Sequence, residues 1–333
     1  MTTLLELKEK LIRFYGKNEI YIAPVLKFGL ALTVFLIVNQ NIGYMEKISS
    51  TSVALILALV CSVLPGIAMV TFAAAVILLD MYALSLEVCL VTLLLFLLVY
   101  AVYFRFAPKG HYSVILTPVC FHFHIPYIMP VGVGLLRETY SVFALLCGIV
   151  VYFFLNGVKQ NSAALSDTAE ETDGAVSKIV VVLNQLVGNK EMYLVLGIMI
   201  VTMVIVNIIR RLSIENAWIV AIITGTLVEA VGLISGYMIL GISGKTVEVL
   251  VGSVIALLIA FVIQFFCFHL DYSRTERLQF EDDEYYYYVK AIPKVMVSGS
   301  EKKVKKFSGR DEEERLTKKR FAEEMDIDEE LLD

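Results

Sequence analysis

The chain is 333 residues long, 58% of them hydrophobic, with a formal net charge of −5. That apolar share exceeds the roughly 45–50% of soluble domains, which excludes an ordinary soluble globular protein. The apolar excess ends at residue 270: the segment 271–333 holds 13 Lys and Arg against 18 Asp and Glu, and so carries the whole net charge.

In chain order, residues 1–20 come first. Thr3 and Glu6 make a capping box, Leu4, Leu7, Leu11 and Phe14 or Tyr15 share one helical stripe, and Gly16 suits a stop. The pattern predicts a short amphipathic helix, either lying on the membrane surface or packed as an ordinary helix. No short apolar core with a small-residue cleavage site is present, so no removable signal peptide is expected.

Residues 21–270 read as a transmembrane domain. A crossing of about 30 Å of hydrocarbon takes roughly 20 apolar residues. Pro24–Gln40, Leu84–Phe104, Ser141–Gly157, Met192–Ile209, Trp218–Leu240 and Val247–His269 approach that length. Lys and Arg cluster in the N-terminal segment, at Arg105 and Lys109, at Arg137, at Arg210 and Arg211, and in the tail. The positive-inside rule makes those positions, and both termini, cytoplasmic. Lys47, Lys159, Lys178, Lys190 and Lys245 then fall outside, singly.

Two apolar stretches are left over. Thr51–Asp80 contains two pieces of about 12 residues, Val53–Leu64 and Ala68–Leu79, broken at Pro65-Gly66, and Val114–Leu136 is interrupted by Pro118, Pro126 and Pro130. Proline frees backbone groups that lipid cannot satisfy. Each stretch is therefore either a re-entrant hairpin, of the kind that meets at the midplane of transporters, or a pair of short, tilted spans. The expected fold is an all-α polytopic helix bundle of 6–10 membrane segments, according to which of these holds.

The segment 158–190 reads as an extracytoplasmic loop whose second half, Val176–Val187, alternates as an amphipathic helix. In the tail, Leu278–Phe280 and Tyr285–Ile292 flank the polar connection Glu281–Glu284 and predict a β-hairpin. Tyr285 and Tyr287 would lie on one face, Tyr286 and Tyr288 on the other. Lys302, Lys303, Lys305 and Lys306 form a basic cluster, and Ser308 can cap a charged helix running to about Met325.

Few residues carry chemistry. Glu229 sits mid-span in Trp218–Leu240, where an ionisable group marks a functional site or a buried structural partner. Thr226 and Gly225, three and four positions earlier, share its face. The functional reading is a protonatable carboxylate or cation ligand on a transport path, and the structural one a hydrogen bond across a helix interface. His122 and His124 stand at the turn of the second broken stretch. In extended backbone they would point the same way and could relay protons or hold a metal, although without a carboxylate or thiolate beside them they make a poor metal site. Asp80 and Glu87 are expected to be solvated at the outer interface, and Asn207 to make an interhelical hydrogen bond. Cys61, Cys89, Cys120, Cys147 and Cys267 all lie in apolar segments, as small buried hydrophobes do.

No GxxxxGK[ST], HExxH or GxSxG pattern occurs, so enzymatic activity, a metal and a cofactor are not expected. The net-acidic tail speaks against nucleic acid as a partner. The run Leu278–Lys294, with its FEDDEYYYYVKA core, and Ile125–Pro130 resemble a group of uncharacterised integral membrane proteins of clostridial-type bacteria. That resemblance implies a bacterial cytoplasmic membrane and no particular activity. Two function classes follow. One is a transporter or permease for a small solute, with a proton or cation coupled through Glu229. The other is a membrane-anchored scaffold whose tail docks a cytoplasmic protein through Tyr285–Tyr288. Small-residue faces such as Gly232-x-x-x-Gly236 permit close helix approach and leave a homo-oligomer open.

Overall fold

The computed structural model of the chain describes residues 2–166, 172–212, 216–242, 244–267, 276–281 and 286–291. Side chains are described from Leu7 onward, outside residues 9 and 172–177 and the two strands. Tyr285, the basic cluster and the expected Ser308–Met325 helix lie outside the described residues.

Helix α1 (Thr2–Asn41) is two helices joined across a kink at Asn18, two residues past the stop expected at Gly16. The one non-helical residue inside it is Asn18 (φ −116°, ψ 20°), and the Asn18 side chain donates to Phe14 O. Short α2 (Thr51–Val63) is capped by the Ser50 side chain, which accepts from Val53 N, and ends at the extended Leu64 that Pro65 demands. Helix α3 (Gly66–Leu84) is 19 residues long, longer than the sequence pattern suggested, because Asp80 does not end it. Next come α4 (Leu86–Phe106), α5 (His111–His122), α6 (Ile128–Leu136), α7 (Val142–Gln160), α8 (Ser162–Ser166) and α9 (Thr172–Val187). The bundle closes with α10 (Lys190–Arg210), α11 (Ala217–Leu240) and α12 (Thr246–Cys267). Gly241, at φ +68°, takes the left-handed cap of α11 at no steric cost.

Seven helical segments among the described residues are long and apolar enough to cross a membrane: Lys10–Asn41, Gly66–Leu84, Leu86–Phe106, Thr139–Gln160, Lys178–Arg210, Ala217–Leu240 and Thr246–Cys267. The chain is a multi-pass membrane protein. Separately from the bundle, β1 (Glu276–Glu281) and β2 (Tyr286–Ala291) pair antiparallel, with Leu278 opposite Val289 and Phe280 opposite Tyr287.

The two broken stretches do not meet at a midplane. Lys27 Nζ reaches Leu64 O at 3.5 Å, and Gly66 packs against the His111 imidazole. Lys27 and Arg137 both lie within electrostatic reach of His111. The α2–α3 turn therefore stands at the end of the bundle where α5 begins, which we term the arginine end. The α5–α6 turn stands at the other, the histidine end, where His122 meets Asn41 and His124 meets Glu248. From Lys27 to Asn41 the rise is about 21 Å. The first stretch is thus short α2 followed by the full-length α3, and the second is the pair of short helices α5 and α6, with turns at Pro65 and Pro126 that stand at opposite ends.

Two apolar cores fill the bundle. The first gathers α1–α5 around Phe35, Met69, Met81 and Tyr103, and the second gathers α6 and α10–α12 around Leu135, Met199, Met203 and Ile222. Helix α7 is the seam, giving Cys147, Phe154 and Val158 to the first and Leu145, Ile149 and Phe153 to the second. All residues of α6 from Ile128 to Leu135 are buried. Its last carbonyls would be orphaned in an apolar interior, and α10 satisfies them. Asn207 Nδ2 donates to Gly134 O (3.2 Å) and Arg137 O (2.9 Å), and Arg210 donates to Leu135 O. Thr139 Oγ1 completes the cluster by donating to Asn207 Oδ1 at 2.9 Å.

Candidate functional site

A cavity of about 460 Å³ lies among α1, α3, α4, α5 and α7, within the range of roughly 300–1,000 Å³ common for small-molecule sites. Its body is apolar: Val34, Val38, Ala73, Val99, Ile115 and Val119 line it. Most of the facing positions carry short or β-branched side chains, which leave the space between these helices. At the histidine end the lining turns polar, with Asn41, His122, His124, Asn156 and Lys159.

The polar groups form two linked sets. Lys159 Nζ donates to Asn41 Oδ1 at 2.6 Å, and Asn41 Nδ2 meets His122 Nδ1 at 3.2 Å. The amide oxygen must face the ammonium, so its nitrogen is the donor toward His122. A neutral His122 then accepts at Nδ1 and carries its proton on Nε2. His124 Nδ1 pairs with Glu248 Oε1 at 2.8 Å, and beyond it Lys245 bonds Glu191, which also accepts from the Tyr237 hydroxyl at 3.4 Å.

The extended backbone expected at 122–124 is not formed. His122 is the last residue of α5 and His124 sits at φ +58°, a left-handed conformation uncommon for a residue with a side chain. The two imidazoles therefore diverge, one toward α1 and one toward α12, while both still line the same cavity. No group of three or more His, Cys, Asp or Glu suited to a metal occurs among the described residues. Tyr100, deeper in the cavity, keeps a buried hydroxyl without a hydrogen-bond partner among the described residues.

Glu229, Thr226 and Gly225 lie elsewhere, in the second core. On α11, Gly236 faces Leu194, Gly232 faces Ile198 and Gly225 faces Val206 of α10. That antiparallel register sets Glu229 level with Thr202. Glu229 is fully buried, and neither its carboxylate oxygens nor the Thr202 hydroxyl has a partner among the described residues. Thr226 instead donates to its own helix, at Ile222 O (2.9 Å). Gly225 is there for closeness: a Cβ would stand 2.3 Å from Val206 Cγ2.

Asp80 is not solvated as its interface position suggested, but completely buried. Its Oδ1 accepts from Met45 N at 3.1 Å, which ties the loop after α1 onto α3. In that loop burial raises the Tyr44 phenol above its ordinary range, and the nearby Asp80 acts in the same direction. Glu87 is half-buried and bonds Ser85.

Sequence patterns pointed to the two histidines but not to Asn41, Asn156, Lys159 or Tyr100. Lys159 is a lone cation and Asn41 the last of the amides Asn39-Gln40-Asn41 at span ends, and nothing local in the sequence says that they converge. No family model, no curated protein and no solved structure matches the chain.

Proposed function

We propose that this membrane protein is of transporter or permease type and that the cavity among α1, α3, α4, α5 and α7 is its solute site. The observation that supports the reading is the cavity itself, apolar in its body and ringed at one end by Asn41, His122, His124, Asn156 and Lys159. A bundle that served only as an anchor has no need of such a space, because filling it with larger side chains would add packing energy.

Glu229 fits this reading as the coupling carboxylate. It does not touch the solute, since it is not among the lining residues, but it sits in the core that surrounds α6, and α6 forms one hairpin with α5, which lines the cavity. A change at Glu229 that shifts α6 would be felt in the cavity through that hairpin. A second reading, a scaffold that recruits a cytoplasmic protein, is favoured by a ladder of two strands among the described residues, whose outer edges are unpaired.

Access to the cavity tests the transport reading without knowledge of the solute. A single cysteine replaces Ala73 in a chain lacking Cys61, Cys89, Cys120, Cys147 and Cys267, and an impermeant maleimide is applied to right-side-out and inverted vesicles. Labelling from both sides is expected of a site with alternating access. Labelling from one side alone would make the cavity a static pocket and remove the transport reading.

A further inference from the structure

We infer that the cavity takes a medium-chain amphiphile with an anionic head group, its chain among Val34, Ala73, Val99 and Val119 and its head at Lys159 and His122. The inference rests on the cavity being a solute site, as proposed above, and names the chemistry of that solute.

Charge comes first. Among the described lining residues Lys159 is the one ammonium group, His122 and His124 are the imidazoles, and no carboxylate is present. Of the acids at this end, Asp80 accepts from Met45 N, Glu87 bonds Ser85, Glu248 is held by His124 and Glu191 by Lys245, and none of them lines the cavity. Lys159 uses one of its three donors on Asn41 and keeps two. Because Asn41 turns its amide nitrogen to His122 Nδ1, the neutral imidazole presents a second donor at Nε2. Two donors on residues joined through Asn41 at one rim of the cavity, one of them cationic, suit a carboxylate or a phosphate.

Length comes second. The lining extends on α1 from Val34 to Asn41 and on α7 from Val151 to Lys159, a rise of about 10–12 Å. An extended alkyl chain of that length fills the apolar body while its head stays at the polar rim. A charged solute without a chain would leave the apolar body empty. A cationic amphiphile would bring its head against Lys159.

The test is binding of radiolabelled decanoate to the purified full-length protein in nanodiscs of zwitterionic lipid. Saturable binding is expected. Decyltrimethylammonium should compete at least tenfold more weakly than unlabelled decanoate, and so should butyrate. Lys159→Gln should weaken binding about tenfold, and Val119→Trp, which fills the cavity, should abolish it. Ala74→Phe serves if the tryptophan variant is not monodisperse. Displacement by a lysophospholipid with a phosphoglycerol head more effective than by decanoate would support the head-group chemistry and assign its source to the membrane. Equal competition by decyltrimethylammonium, or binding unaffected by both variants, would overturn the inference. Two-sided labelling at position 73 combined with absent decanoate binding would reject this solute class and leave the transport reading standing.

Discussion

At the scale of single residues, Asp80 (at Oδ2), Tyr100, Thr202 and Glu229 carry buried polar atoms without partners among the described residues. Tyr100 keeps a buried, unbonded hydroxyl at the cavity wall. Removing it takes away an unsatisfied group and no contact of value, so Tyr100→Phe is expected to leave the thermal midpoint unchanged or to raise stability by up to about 1 kcal/mol. Glu229 and Thr202 stand at the same level of α11 and α10, both buried. An ionisable group in that position is retained against its cost. Under the transport reading, Glu229→Gln, which keeps size and shape, is expected to preserve the elution profile while abolishing proton- or cation-driven uptake in proteoliposomes, and full uptake would remove Glu229 from the proposed coupling. Asn207 is the opposite case, with every polar atom used across the interface. Asn207→Leu leaves Gly134 O without its side-chain donor and removes the bonds to Arg137 O and Thr139, and is expected to cost about 2 kcal/mol, counting roughly 0.6 kcal/mol for each membrane hydrogen bond, seen as a lowered unfolding midpoint in detergent.

Elements were legible in the sequence to unequal degrees. Helices α4, α7, α10, α11 and α12 emerged within a few residues of their bounds, since an apolar run bounded by charge has one reading in a bilayer. The extent of α3 did not, because Asp80 looked like an interface residue until Met45 N closed over it. The α5–α6 turn falls at His122 and His124 as the sequence implies, but its backbone does not follow: His124 is left-handed and bonds Glu248, 124 residues away, and no local propensity encodes a partner so distant. On α11 the Gly232-x-x-x-Gly236 spacing marks a close approach, which α10 makes, but nothing in it marks Gly225 as a third such position or names α10 as the partner. Gly225→Ala places a Cβ 2.3 Å from Val206 and is expected to destabilise by about 1–3 kcal/mol. Val206→Ala in the same chain should restore most of the lost midpoint, because neighbours in contact are not additive.

On the scale of the whole molecule, the two cores divide the labour that the sequence reading had assigned to one site. The cavity with its histidines belongs to the first core, Glu229 to the second, and α7 together with the α5–α6 hairpin joins them. One chain position in isolation reports neither membership, since both cores draw on the same aliphatic residues. The tail stands outside the division, and the bundle segment from Lys8 to His269 is compact by itself. Truncation before Asp271 is therefore expected to leave detergent elution and thermal midpoint unaltered, and, under the scaffold reading, to remove a co-purifying protein.

Helix α6 sets a timetable for synthesis. At nine residues it extends about 14 Å, too little to be retained in a bilayer on its own apolar merit, and the groups that complete its end belong to α10. Asn207 follows Gly134 by 73 residues. At about 5–20 residues per second a ribosome needs on the order of 4–15 s to supply it. For that interval α6 has to be sheltered by the insertion machinery or wait outside the lipid, so this half of the protein assembles backwards, its centre arriving early and closing last.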